Sequence, residues 1–244
     1  MIRADEVGPP WNFGRPPTSH RGLDQPGGLL SRVSSVPLPI TADIEAEGLR
    51  PAPVQALEHL LVPAQAWIGE VPDLERLVLA VVRDIHSLAS EPGYDVSHSQ
   101  PRWHDRIFVS CPERTDCIGE LRLAESVVHE AMHLHLTIEE HRLPLVATPS
   151  ASAQSPWRGI ERPVQGVLHG LFVFLCIFRF LHELARGGRL TEAGRQYVEN
   201  RLRTIDEEIG SIDTAALSTS LTTHGQEAVA SWLAAHHRTP GSGR

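Results

Sequence analysis

His129, Glu130 and His133, in the stretch "SVVHEAMHLHL" from Ser126 to Leu136, form an H-E-x-x-H pattern. On a helix, residues four apart differ by about 40° in direction, so the two imidazoles share one face, one turn apart. Two histidines so placed can hold one metal ion, and the glutamate between them can act as a base or as a support for a ligand. The surrounding sequence, "GELRLAESVVHEAMHLHLTIEEHR", has helical periodicity and predicts one long helix over about Glu120 to Arg142.

The third ligand decides the class of chemistry. A metzincin places Gly and His at positions occupied here by Leu136 and Glu139, which excludes that class. A thermolysin-like site needs a downstream glutamate, but neither Glu161 nor Glu183 sits in the expected setting. His169, in "GVLHGLF", is the more attractive ligand. Read as a core histidine among apolar neighbours it is equally ordinary, and spacing does not separate the two readings. Gly166 and Gly170 flank it and would let another helix approach. Gln165 lies one helical turn before it and Arg162 about two turns before it. Arg158 and Arg162, in "SPWRGIERP", precede a helix N-terminus, where guanidinium groups and free N–H groups suit a carboxylate; alone, they would be surface charges. Three neutral imidazoles leave a divalent ion its full charge, and such a set suits iron and zinc alike.

The elements that must position these residues are mostly helical. "PAPVQALEHLLV" (51–62) and "DLERLVLAVVRDIHSLA" (73–89) predict helices, the second amphipathic and opened by Pro72 and Asp73. "GYDVSHS" and "RIFVS" predict two short strands. "LPLVATPSASAQSPWRGIER" predicts an irregular loop, with Ala147 to Ser155 as a candidate lid. Pro163 opens a second long helix that stops at Gly187 and Gly188, Thr191 caps a third, and "GQEAVASWLAAHH" predicts a last one. The expected fold is therefore mainly α, with a small hairpin or sheet and a metal held between two long helices. Residues 1–37, rich in Pro and Gly, are expected to form an extended arm, residues 38–238 a single domain, and residues 239–244 a disordered tail.

Composition narrows the function. The chain has 244 residues, a net charge of −8 and a pI near 5.9, which argues against a nucleic-acid partner. Cys111, Cys117 and Cys176 are odd in number and lack the spacing of a zinc knuckle or redox motif, so a reducing cytoplasm is expected. The run "VLHGLFVFLCIFRFL" is 15 residues long and holds His169 and Arg179, so it reads as a buried helix and no membrane is expected. Fourteen histidines point mildly to metal or proton chemistry.

"VVHEAMH" followed by "SPWRGIERPVQGVLHGLFVF" resembles the HExxH-motif domain found beside biosynthetic systems for ribosomally made, post-translationally modified peptides. "DVSHSQP…RIFVS" and "RLTEAG" are similar as well, so the resemblance spans about Asp95 to Gly194. It implies a mainly helical Fe(II)- and α-ketoglutarate-dependent oxygenase that hydroxylates the β-carbon of a residue in a precursor peptide. His129, His133 and His169 become the iron ligands by this resemblance. Arg158, Arg162 and Gln165 are then candidates for holding α-ketoglutarate, and Ser97, His98 and Trp157 for lining the peptide pocket. Glu130 would orient a ligand imidazole or a bound water. The alternative is a Zn(II) metallopeptidase with Glu130 as general base.

Overall fold

Leu29, in a stretch expected to be an unstructured arm, is 1% exposed. A computed structural model describes residues 27–90 and 93–239 of the chain; residues 1–26 and 240–244, which hold most of the expected arm and tail, lie outside the described residues. Leu29–Arg32 form a 3-10 turn pinned by Gln65, whose Oε1 accepts from the Leu29 N–H at 2.6 Å. Strand β1 (Val33–Ser34) follows. The eleven residues 27–37, expected in the arm, therefore belong to the packed structure, because a buried leucine and a strand pairing reward ordering this segment.

Helices α1 (Leu38–Ala46), α2 (Gln55–Gly69) and α3 (Pro72–Val81) come next. Helix α3 buries Leu74, Leu77, Val78 and Val81, a 3.6-residue stripe. The helix expected over 73–89 stops there. From Asp84 the backbone pairs residue by residue with Arg106–Ser110, and Ile85, His86, Ser87 and Leu88 are all buried. They form strand β2 (Asp84–Leu88), covered on both faces as parallel strands are. Strands β3 (Ser97–His98) and β4 (Arg106–Ser110) agree with the sequence expectation. The sheet order is β1-β2-β4-β3, with β1, β2 and β4 parallel and β3 antiparallel at the edge.

Helix α4 (Cys117–Glu140) carries the H-E-x-x-H residues. Its first turn is capped by Asp116, whose carboxylate accepts from the N–H groups of Ile118 and Gly119. The loop expected to be irregular contains a hairpin, β5 (Ser152–Ser155) and β6 (Ile160–Pro163), in the register Ser152↔Pro163 to Ser155↔Ile160. Gly159, at φ 65°, makes its turn possible, and the N–H groups of Arg158 and Gly159 both donate to the Ser155 carbonyl. Helix α5 (Val164–Gly187) begins after Pro163 and ends at Gly188 in the left-handed region, φ 74°. Helices α6 (Glu192–Gly210), α7 (Thr214–Ser218) and α8 (Thr223–His237) complete the described chain, with Thr191 and Thr222 capping α6 and α8.

The fold is mainly α with a small sheet, as expected. Helices α4 and α5 pack side by side, flanked by α2, α6 and α8, and one continuous apolar core runs between them. By length and composition α5 could cross a membrane, yet 67% of its most apolar window is buried inside the protein. That burial is what its phenylalanines do: Phe172, Phe178 and Phe180 are at most 3% exposed.

Candidate metal centre

Helix α4 places His129 and His133 on one face with ring centroids 4.8 Å apart. Helix α5 brings His169 alongside, its ring nearly parallel to that of His133, with 18° between planes and 3.4 Å between the two Nδ1 atoms. The three expected ligands are thus grouped by two adjacent helices, and His169 is not enclosed in the apolar core. Among the described residues no group of three His, Cys, Asp or Glu side chains is placed so that it could hold a metal ion as the side chains stand.

The imidazoles on α4 are held neutral. Burial, together with the charges of Arg201 and Arg158, pushes His129 down to about 4. Burial, and then the neighbouring His129, pushes His133 down to about 3. Neutral imidazole is the form that binds a metal.

Glu130, 3% exposed, has both carboxylate oxygens engaged. Oε1 accepts from Ser97 Oγ and Oε2 from Ser99 Oγ, each at 2.6 Å. Oε1 also lies 3.9 Å from His129 Nε2. Ser97 lines the cavity over the histidines and ties β3 to Glu130. His98 lines the same cavity with its Nε2 3.1 Å from Glu47.

This cavity, of about 650 Å³, opens above the histidines. That volume is typical of a small-molecule or peptide side-chain site. Arg158, Arg162 and Gln165 line its hairpin side, with both arginines exposed. Trp157 is not among its lining residues. Its indole stacks on Phe174 at 4.9 Å and packs against Gly170, where an added Cβ would lie 2.6 Å from the ring. Gly170 thus admits an indole, and Gly166 faces the Arg162 guanidinium, with 3.5 Å to an added Cβ. The close approach anticipated at these glycines is made by the β5–β6 hairpin, which anchors Arg158 and Arg162 beside α5. The segment read as a lid, Ala147 to Ser155, is partly strand β5.

Several residues at this site had no part in the sequence reading. Ser99 is one. Glu140, which accepts at Oε2 from His169 Nε2 at 2.6 Å and from Gln165 Nε2 at 3.0 Å, is another. Its signal was present: Glu140 is seven residues beyond His133 and eleven beyond His129, so all three lie within about 20–40° of one helix stripe. Burial alone would raise the Glu140 carboxyl, but the hydrogen bonds from His169 and Gln165 bring it below its ordinary value. On the other side of His129, a smaller cavity of about 380 Å³ is lined by Arg122, Glu125, Tyr197 and Arg201, among others. Glu125 accepts from Tyr197 and from Arg201, and its burial raises its pKa.

These shifts predict a pH response of the metal-free protein. His129, His133 and the buried His135, which burial lowers to about 4, bind protons near pH 6.5 only when unfolded. Above pH 6.5 both states are neutral at these positions and stability is flat. Between pH 6.5 and about 4 the unfolded state holds more protons, so stability falls as pH falls. Glu125, with its raised pKa, offsets part of this. Denaturant unfolding at pH 7, 6 and 5 should reveal uptake of roughly two protons; equal stability at all three pH values would rule the linkage out.

No family model matches the chain, and no curated protein matches it.

Proposed function

We propose that this chain is an Fe(II)- and α-ketoglutarate-dependent oxygenase that hydroxylates the β-carbon of a residue in a ribosomally made precursor peptide, and that it works in the cytoplasm. The observation that carries this reading is the grouping of His129, His133 and His169 beneath a cavity whose wall holds two arginines, while the Glu130 carboxylate is already engaged by two serine hydroxyls.

The donor set fits the ion. Three imidazoles would hold Fe(II), two of their nitrogens already face each other, and neutral ligands leave the cation free to attract an anionic co-substrate. Bound there, Fe(II) supplies dioxygen activation coupled to conversion of α-ketoglutarate to succinate and carbon dioxide, with the second oxygen atom entering the substrate C–H bond. The chain's own work is binding and alignment. Arg158 or Arg162, both at the cavity wall, would pair the distal carboxylate of α-ketoglutarate. Glu130, fixed by Ser97 and Ser99, lies 3.9 Å from His129 Nε2, where it would support the imidazole or a bound water. Phe174, edge-on to His129 at 5.6 Å, and the Trp157 indole stacked on it form an apolar backing that limits water.

A Zn(II) peptidase is the competing chemistry, and Glu130 distinguishes the two. A general base typically contributes 10²–10⁴-fold, whereas a residue supporting a ligand contributes about 10–100-fold. Purified protein incubated with its precursor peptide, Fe(II), ascorbate and α-ketoglutarate should raise the peptide mass by one oxygen atom. Glu130→Gln should keep measurable turnover, within about 100-fold of the original. Peptide cleavage in the absence of α-ketoglutarate, abolished by Glu130→Gln, would replace this reading with the peptidase.

A further inference from the structure

Glu140 ends α4 with a carboxylate at the end of the helix where free carbonyls already concentrate negative potential. An acid is disfavoured there unless something compensates it. Its side chain is 10% exposed, and that of His169 12%. A single oxygen, Oε2, meets both the Gln165 amide nitrogen and His169 Nε2. An oxygen that accepts from an amide is an acceptor, so the imidazole nitrogen 2.6 Å away carries the hydrogen. The neutral imidazole that a metal requires has only one ring hydrogen. With that hydrogen on Nε2, Nδ1 presents its lone pair, and it is Nδ1 that faces His133 Nδ1 at 3.4 Å. Two nitrogens at that separation can both reach one cation at about 2.0–2.1 Å.

We propose that Glu140 is a positioning residue of the metal centre, holding His169 in the Nε2–H tautomer so that Nδ1 is the atom offered to an ion shared with His133. This rests on the metal-centre reading and adds to it a carboxylate and a donor atom. It also moves Gln165: its amide holds Glu140 in place, which is a structural duty separate from contact with a co-substrate.

The test joins histidine side-chain ¹⁵N NMR on the metal-free protein at pH 7.5 with Co(II) titration, for the unaltered protein, Glu140→Gln and Glu140→Ala. Circular dichroism establishes that each variant is folded. The unaltered protein should show His169 as the Nε2–H tautomer. Glu140→Ala should mix the tautomers and weaken Co(II) binding by about 10–100-fold. Glu140→Gln, which retains an accepting oxygen, should recover most of both. An unchanged His169 tautomer in Glu140→Ala overturns the proposal. If Co(II) is then lost as completely as in His169→Ala, Glu140 is itself a ligand. Failure of the unaltered protein to bind Co(II) removes the metal centre instead, while the tautomer comparison still decides what Glu140 does to His169.

Discussion

His169→Ala is expected to abolish stoichiometric Fe(II) or Co(II) binding and, with it, α-ketoglutarate-dependent oxidation of the peptide. The reason is geometric. His169 is the sole member of the histidine group contributed by α5, and its Nδ1 faces His133 at 3.4 Å. Without it, two imidazoles one turn apart on α4 remain, too few to hold a divalent ion against water. The loss in metal affinity should exceed the roughly 100-fold that removal of a supporting group costs. The fold should survive. His169 lies at the cavity floor, not in the apolar core, and its removal deprives Glu140 of one of two hydrogen-bond donors, a cost of about 1–3 kcal/mol. Metal analysis after anaerobic loading, read beside a thermal melt of the same samples, separates the two effects. A His169→Ala protein that still holds one equivalent of iron would remove His169 from the ligand set.

Phe172→Ala is expected to have the opposite signature, with a large loss of stability and a smaller change at the site. Phe172 is fully buried on α5, its ring centroid 4.9 Å from that of Trp232 on α8 and 6.1 Å from that of His135 on α4. It therefore joins three helices at one point. Truncating a buried phenylalanine costs about 3–5 kcal/mol through lost transfer energy and the cavity left behind. For a domain of this size that corresponds to a fall in Tm on the order of 10–15 °C. Because the same helices carry His129, His133 and His169, metal affinity should weaken several-fold through looser α4–α5 packing, without disappearing. A melt within about 3 °C of the unaltered protein would contradict this account.

Much of the fold was legible in the sequence because long helices advertise themselves. The bounds of α4, α5, α6 and α8 follow caps and stops that the residues state directly, such as Thr191 before α6 and Gly188 after α5. Strand β2 was hidden because Ile85 and Leu88 continue the helical spacing of Leu74, Leu77, Val78 and Val81, and only two residues separate α3 from β2. A helical stripe running straight into a continuous buried run looks like one longer helix. The β5–β6 hairpin was hidden for a different reason. Its residues are mostly exposed, so no alternation of apolar and polar positions marks its strands, and only Pro156 and Gly159 signal the turn. At the site, the histidines could be found from motif and resemblance. Ser99 could not, since it acts through one hydrogen-bond partner distant in sequence, and Glu140 was marked only by its place on the His129–His133 stripe, its partners His169 and Gln165 lying on another helix. Trp157 was assigned to a pocket wall with the resemblance, while the glycine that receives it lies thirteen residues later on α5.

The two-residue strand β1 has a practical bearing on where this chain can be shortened. Val33 and Ser34 cover one side of β2 by pairing with Ile85 and His86. A truncation at residue 38, the boundary that composition alone suggests, would strip that cover and leave the part of β2 at Ile85 and His86 as a margin of unpaired N–H and C=O groups bordered by buried side chains, while residues 50–52 still cover its far end. Such a margin recruits other chains into intermolecular sheets. A shortened protein intended for crystallisation or assay should therefore keep residue 27 onward, so that Leu29 and β1 continue to shield it from self-association.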